Sequence, residues 1–547
     1  MDLRPYLEAA FRAAAEQAGF SGASLQKIIF QKPARPEHGD WATNVALRLA
    51  PEVGLPPREV ARRLVEHLEL DPARIARVEV AGPGFINLFY APAFLHAVLA
   101  EILSRGEEYG RSESNRGRRA LVEFVSANPT GPLTVGHGRN AVLGDAIARL
   151  LACTGYEVTR EYYFNNAGRQ MRLLAESVRA RYLELLGKPV DFPEEGYQGE
   201  YIRDIAHALL EEHGDGLADT EDLAIFKETA ERMIFAEIVR TLERLSIRMD
   251  SFFNEHSLYE SGAIWRVIDR LRERDLIYEA EGAIWFRGTA LGRHRDVVLV
   301  KSTGEPTYRL PDIAYHINKL ERGYDLIIDV FGADHIDTYP DVLAAVGALG
   351  YPTERIRVLI YQFVTLLKDG QPYKMSTRRA TFVTLDELID EVGADVTRFF
   401  FLMRSPGTHL EFDLDLAREA SEKNPVFYLQ YAHARIASIV RKAQEVGVRF
   451  REHPAYERLL HPHEITLMKA LVDLPGVIEE AAEHLEPHRV IVYLNEVAAA
   501  FHRFYHECRI LGEEPELASA RMHLAQATRL VLRNGLAVLG VSAPEQM

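Results

Sequence analysis

Cysteine is nearly absent from this chain. Its 547 residues include only Cys153 and Cys508, which are too far apart in sequence to suggest a metal-ligand spacing or a disulfide framework. That scarcity suits a reducing compartment, and a cytoplasmic location is expected. Long apolar runs are missing too: no stretch reaches the roughly 18 residues that would suggest a membrane span. The opening segment, 1–20, carries Asp2, Glu8 and Glu16 among alanines. It reads as an amphipathic helix, not a signal or transit peptide. There is no excess of basic residues either, and the net charge is -16. This argues against a protein that coats nucleic acid non-specifically, because phosphate contacts need Lys and Arg. A binder that confines its basic groups to one surface stays open. No internal repeat or low-complexity tract is present. What remains is ordinary: 47% hydrophobic and 26% charged residues, enough for a sizeable core. At roughly 100–200 residues per domain, the length implies about three or four domains.

Patterning divides the chain. Residues 1–110 mix helical and strand patterns, and 78–90 reads as two strand-like runs around a Gly-Pro-Gly turn, as in a hairpin. Residues 105–119 are rich in glycine, serine and charge, which marks a boundary. Over 111–410, short apolar runs recur at 121–125, 297–300, 326–330 and 358–360, with helical patterns between them. This texture predicts a parallel sheet with helical crossovers. A helical insertion interrupts it, with Ile225, Met233, Ile234, Ile238, Leu242 and Leu245 on one face. From about 411 to 547 the strand signal vanishes, and an α-helical domain is expected. The expected fold is therefore α/β: a Rossmann-type parallel-sheet catalytic domain with an N-terminal α+β domain and a C-terminal all-α helical bundle.

The first chemical motif lies where a strand ends and a helix begins. Residues 120–126 read as a buried strand, followed by Ala-Asn-Pro-Thr-Gly-Pro-Leu-Thr-Val-Gly-His-Gly-Arg-Asn over 127–140. Val142, Leu143, Ile147, Leu150 and Leu151 then form the apolar face of a helix, and Thr154-Gly155 stops it. Ligands of open α/β sheets bind beyond the carboxyl ends of the strands, and a helix N-terminus offers free N–H groups to phosphate. Gly136 and Gly138 would let a nucleotide lie against the backbone. His137 could donate to a phosphate oxygen as charge builds there. The competing reading is an ordinary strand–turn–helix loop.

A second motif follows a strand-like run at 361–367. It reads Lys-Asp-Gly-Gln-Pro-Tyr-Lys-Met-Ser-Thr-Arg-Arg over 368–379, with Asp369-Gly370 as a tight-turn signal. Taken alone, it could be a solvated basic hairpin. A third segment, 307–316, reads Thr-Tyr-Arg-Leu-Pro-Asp-Ile-Ala-Tyr-His. Tyr308 and Asp312 are four apart and would share a helix face. Pro311 is tolerated best in a first turn, so that helix should start near Leu310. In the C-terminal part, Gln430-Tyr-Ala-His-Ala-Arg435 opens a helix with Tyr431 and Arg435 one turn apart, a spacing suited to base stacking and phosphate contact. Arg441, Lys442, Arg449 and Arg451 extend its basic character. The alternative is a surface helix with ordinary charges.

Together these segments resemble the arginyl-tRNA synthetase family of the class I synthetases, in order and over essentially the whole chain. The family's first signature usually has histidine at both ends of a four-residue core. Here it reads Thr134-Val135-Gly136-His137, with threonine in the first place. A hydroxyl can donate a hydrogen bond there but cannot carry charge. Lys374-Met375-Ser376 resembles the second signature, and Thr377 stands where many synthetases carry another lysine. The resemblance implies ATP contacts from Pro129, Thr130, Gly131, Thr134, Gly136, His137, Gly138, Lys374, Met375 and Ser376. His137 and Lys374 would be catalytic. It implies arginine contacts from Glu123, Asn128, His137, Tyr308 and Asp312. Glu123 also has a plainer reading, as a strand carboxylate satisfied by a neighbouring arginine. The segment 165–170 resembles the family's Asn-Asp-x-Gly-x-Gln element, with Asn166 in place of the aspartate. Gly332-Ala-Asp-His335 should line the same cleft, in a role left open.

Residues 38–44, 85–87 and 541–547 resemble the family's termini, and Asn87, Tyr431 and Arg435 are implied to touch tRNA. The implied activity is ATP-dependent activation of L-arginine and its transfer to tRNA(Arg), with Mg²⁺ accompanying ATP and no resident metal. Family members commonly need bound tRNA before they activate arginine. A cytoplasmic monomer is expected. An arginine-selective site that leaves a wrong ligand's polar partners unpaired can discriminate by about 10⁴–10⁵, and no editing domain is evident. Two rivals remain: a class I ligase with a non-tRNA acceptor, and a tRNA-binding paralogue without catalysis.

Overall fold

A computed structural model describes residues 3–373, 383–447, 450–452 and 454–547. The N-terminal part builds a four-stranded antiparallel sheet from β1 (Phe30–Gln31), β2 (Trp41–Thr43), β3 (Ile75–Ala81) and β4 (Phe85–Tyr90), in the order β1-β2-β4-β3. The expected hairpin is β3–β4. The opening helix is Arg4–Gln17, and it buries Leu7, Phe11, Ala14 and Ala15.

The central sheet is wholly parallel. Its strands are β5 (Arg119–Glu123), β6 (Glu157–Phe164), β7 (Ser251–Asn254), β11 (Leu326–Gly332) and β12 (Ile356–Tyr361), in the order β12-β11-β5-β6-β7. Ala120, Leu121, Val122 and Glu123 are all buried, as expected of a strand covered on both faces. Chain order runs outward from β5 to β7 on one side and from β11 to β12 on the other. The topological switch point is therefore the β5/β11 crevice, where ligands of such sheets bind.

Three sequence expectations need correction. The run at 297–300 is β10 (Val297–Val300), which does not join the parallel sheet. It pairs antiparallel with β9 (Ala283–Phe286), which pairs with β8 (Ile277–Ala280). Short apolar runs look alike in both kinds of sheet, because only the partner strand sets direction. The run at 361–367 is broken into the end of β12 and β13 (Val364–Lys368). From β13 the chain turns at Asp369-Gly370, both with positive φ, into β14 (Gln371–Pro372). Strand signal also persists past 410: β15 (Leu410–Asp413) pairs parallel with β13. The insertion helix is Ala224–Arg244. It buries Phe226, Ala230, Ile234, Ile238 and Leu242, while Ile225 and Met233 lie at the flank of that face. Beyond Pro425 the chain is helical, ending in the 25-residue helix Pro515–Leu539.

The helix Val135–Cys153 is buried on nearly every side. Gly138 and Gly144 permit this. A Cβ at Gly144 would stand 2.2 Å from the Phe124 ring, and one at Gly138 would stand 2.6 Å from Leu385. Gly138 therefore serves helix packing. At the strand end, Val125 and Ser126 take φ of 67° and 43°, a conformation costly for a β-branched residue. Asn140 holds it in place. Its Oδ1 accepts from the Val125 N–H at 2.6 Å, and its Nδ2 donates to the Val330 carbonyl at 2.9 Å. One amide thus ties β5 to β11 at the switch point. Asn140→Ala is expected to cost roughly 2–4 kcal/mol, since two buried backbone groups lose their partners. Denaturant unfolding would check this, and an unchanged midpoint would refute it.

Candidate active site

The loop after β5 is clamped along its length. The Tyr162 hydroxyl donates to the Ala127 carbonyl at 2.7 Å, and the Tyr201 hydroxyl to that of Thr130 at 2.8 Å. Asn128 Oδ1 accepts from the Asn165 N–H at 3.0 Å, and its Nδ2 donates to Gln170 Oε1 at 2.9 Å. The element at 165–170 therefore clasps the first motif directly. Pro129 is buried, while Thr130 and Gly131 are partly exposed.

Thr134 is the N-cap of the helix Val135–Cys153, with His137 at its third position. The Thr134 N–H donates to His137 Nδ1 at 3.1 Å, and the Thr134 hydroxyl lies 3.3 Å from the same nitrogen. This is the reciprocal geometry of a capping box, with histidine in the usual place of Glu. Since Nδ1 accepts, the ring proton sits on Nε2. Burial pushes the His137 pKa down, so the ring is a neutral Nε2–H donor. The backbone N–H of Thr134 thus sets the tautomer of the surviving signature histidine.

The second motif is moored to the same helix from both flanks. Lys374, Met375 and Ser376 lie outside the described residues, as does Thr377. Downstream, the Leu385 N–H donates to the Leu133 carbonyl at 2.8 Å, and Thr134 forms a β-bridge with Thr384. Arg139, which is fully buried, donates to the Gln362 carbonyl upstream and to the Ser405 and Thr408 carbonyls downstream.

An acidic pocket lies beside the loop. The helix Arg309–Glu321 begins one residue before Leu310, with Pro311 in its first turn, and the Asp312 N–H reaches the Tyr308 carbonyl at 3.3 Å. The Asp312 carboxylate has no hydrogen-bond or ion-pair partner among the described residues. Burial pushes its pKa up to about 7; Glu123 and Glu255 add to the rise, while His316 and Lys319 oppose it. Glu255 follows β7 and is itself raised by burial. It accepts from the Tyr163 hydroxyl at 2.6 Å and from Asn165 Nδ2 at 2.7 Å. Tyr163 stacks on Tyr315 with ring centroids 4.5 Å apart. Asn165 therefore links Asn128 of the first motif to Glu255 of the pocket. Glu123 is only 4% exposed. Lys319 donates to one of its oxygens and the Ser126 hydroxyl to the other. A lysine, not an arginine, thus satisfies it.

This geometry fixes a pH dependence. A cationic ligand would need the ionised Asp312 carboxylate, whose pKa burial pushes up to about 7. Binding of such a cation is expected to weaken about tenfold per pH unit below that point and to level off above it. Calorimetric titration from pH 6 to 8 would test this, and a constant Kd would contradict it.

Comparison with known proteins decides the family. The family model for the arginyl tRNA synthetase N-terminal domain matches residues 5–90. The class I (R) tRNA synthetase catalytic domain matches 98–399, and the DALR anticodon binding domain matches 429–547. The chain is 58% identical to the arginine–tRNA ligase of Salinibacter ruber, over 95% of this chain and 96% of that one. It is 51% identical to the ligase of Desulfotalea psychrophila, over 100% and 99%. The chain belongs to the arginine–tRNA ligase family. The Thermus thermophilus arginyl-tRNA synthetase shares its fold, with a TM-score of 0.79, 24% identity and all of both chains covered.

Within this ligase family frame, the structure sorts the expected site residues. Glu123 and Glu255 lie close enough to Asp312 to raise its pKa, and Asn165 joins Asn128 to Glu255; His137 stands apart from them in the first turn of the helix Val135–Cys153. Tyr308, the N-cap of the helix that carries Asp312, is 83% exposed. Ala333–His335 forms a single turn after β11, with the His335 ring stacked on Phe331 at 5.0 Å. Asn87 is only 4% exposed, in mid-sheet on β4 between Ala42 and Glu79; alternation puts it on the face of Phe85 and Phe89, opposite the core residues Ile86 and Leu88. Tyr431 and Arg435 are one turn apart as expected, but their helix begins earlier, at Pro425. The Arg435 guanidinium lies 5.7 Å from the Tyr431 ring and 4.8 Å from that of Tyr505. Arg449 lies outside the described residues. The sequence reading missed Glu255, Arg139 and Asn140. Glu255 had a usable signal, as an acid at the carboxyl end of a strand-like Phe-Phe run. Arg139 and Asn140 were polar residues on an otherwise apolar helix.

Proposed function

We propose that this chain activates L-arginine with ATP and charges tRNA(Arg), gripping the arginine guanidinium with Asp312. The unpartnered Asp312 carboxylate, close to Glu255 and one helical turn from Tyr308, carries that reading. A planar permanent cation is the ligand that relieves such a site. Glu123 and Asn128 hold the pocket in shape, since their polar atoms already have partners.

The chemistry needs positioning and charge stabilisation more than covalent help. The arginine carboxylate attacks the ATP α-phosphorus, and the bond to pyrophosphate breaks. His137 Nε2–H donates to the phosphate oxygens, beside Pro129, Thr130, Gly131 and Gly136. Lys374, with Met375 and Ser376, neutralises the leaving pyrophosphate, by resemblance to the family's second signature. Mg²⁺ enters on the ATP phosphates as part of the substrate. A ribose hydroxyl of the tRNA terminal adenosine then attacks the arginyl carbonyl and releases AMP. Tyr431 and Arg435 face the tRNA from the anticodon-binding domain. Among the described residues no helix is long and apolar enough to cross a membrane, and both cysteines are free and buried. Both features support a cytoplasmic enzyme; its working state as a monomer rests on the family resemblance.

Radioactive pyrophosphate exchange with each amino acid, with and without tRNA, tests the proposal. Exchange with arginine alone among the amino acids is expected. Activity with another amino acid would overturn the specificity, and no exchange under any condition would favour a non-catalytic paralogue.

A further inference from the structure

His316 lies one helical turn below Asp312 and faces two acceptors. Its Nδ1 is 2.7 Å from the Asp312 carbonyl oxygen, and its Nε2 is 2.9 Å from Asp329 Oδ2. A neutral imidazole can donate from one nitrogen only. Asp329 does not supply the missing proton. Lys319 Nζ donates to its other oxygen at 2.6 Å. Burial alone would raise the Asp329 pKa, but Lys319 and His316 hold it well below the ordinary carboxylate range. Both nitrogens of His316 therefore carry protons. A buried imidazolium, 4% exposed, sits under the arginine pocket.

The surrounding charges give it a task. Glu123 from β5, Glu255 from beyond β7 and Tyr163 from β6 face Asp312, and His316 and Lys319 reach it from its own helix. Asp329 of β11 lies behind the two cations. Lys319 is divided between Glu123 and Asp329. Asp312 is the carboxylate left without a partner, crowded by two other acids. Without a further cation, such crowding would protonate it.

We propose that His316 is a positioning residue whose fixed positive charge keeps Asp312 ionised for capture of the substrate guanidinium. This rests on the reading that Asp312 receives arginine, and the test separates the two. Arginine binding is measured by calorimetry on the full chain from pH 6 to 9. His316→Gln is expected to move the pH transition up by about one unit. Binding would then be about fivefold weaker at pH 7 and restored near pH 9. A merely structural role would weaken binding equally at every pH, and that result, or an unshifted transition, overturns the proposal. If the variant does not fold, nitrogen NMR of the histidine-labelled wild-type chain reads the charge directly. One ring should keep both protons above about pH 8, against an ordinary histidine pKa of about 6.5. Loss of the second proton from every ring by that pH overturns the proposal. Asp312→Asn is the control. If it binds arginine normally, the reading of Asp312 fails; if it loses arginine at every pH, that reading stands and the His316 data alone decide.

Discussion

Asp312→Asn is expected to raise the arginine KM by about two to three orders of magnitude and to leave the ATP KM near its wild-type value. Removing one partner of a buried charge pair typically costs about 3–5 kcal/mol, because the other charge is left uncompensated. Here the abandoned charge is the guanidinium, which cannot shed its proton. Glu255 offers no full substitute, since Tyr163 and Asn165 already occupy its two oxygens. Stability should move the other way. Asp312 is held above its ordinary range, so its ionised form costs folding free energy at neutral pH. That penalty is absent below the unfolded pKa, about 3.9. It grows as pH rises and is complete above about pH 7. The asparagine variant should therefore melt no lower than wild type in the absence of arginine, and higher if the amide finds a partner. Pyrophosphate exchange at varied arginine, with thermal unfolding in parallel, reads both effects. An unchanged arginine KM would refute the role assigned to Asp312.

His137 variants should separate the two nitrogens of one ring. His137→Ala is expected to lower kcat by about 10²–10³, the usual cost of removing a donor aimed at developing charge. His137→Asn can mimic Nδ1 and still accept from the Thr134 N–H, yet it has no donor at the Nε2 position. It should be as slow as the alanine variant while keeping the helix capped. His137→Gln places its amide donor near Nε2 and should retain part of the activity. The arginine KM should change little in all three. If the asparagine variant proved faster than the glutamine variant, Nδ1 would be the working nitrogen and the tautomer set by Thr134 would be wrong.

Much of the site was legible in the chain itself because it is local. The strand–loop–helix at 120–153, the turn at Asp369-Gly370 and the helix carrying Asp312 are each fixed by neighbours within a few residues. Apolar period, capping and turn chemistry therefore revealed them. Family membership was legible for the same reason, since its motifs are short contiguous strings. Placement of 297–300 was not, because a four-residue apolar strand carries no label for its partner. Asn87 shows the same limit: its type suits recognition, but only the pairing of β4 with β2 and β3 shows that Ala42 and Glu79 flank it and leave it 4% exposed.

The sequence by itself determined the reaction class, the three-part architecture and the local elements that carry the candidate site. Tertiary structure decided their electrical state. Lys319 lies 196 positions from Glu123, and Glu255 reaches Asn165 from 90 positions away. No local pattern announces such pairs. Burial and distance set whether a carboxylate is paired, as Glu123 is, or left open, as Asp312 is. That difference exists only once the strands and helices have packed.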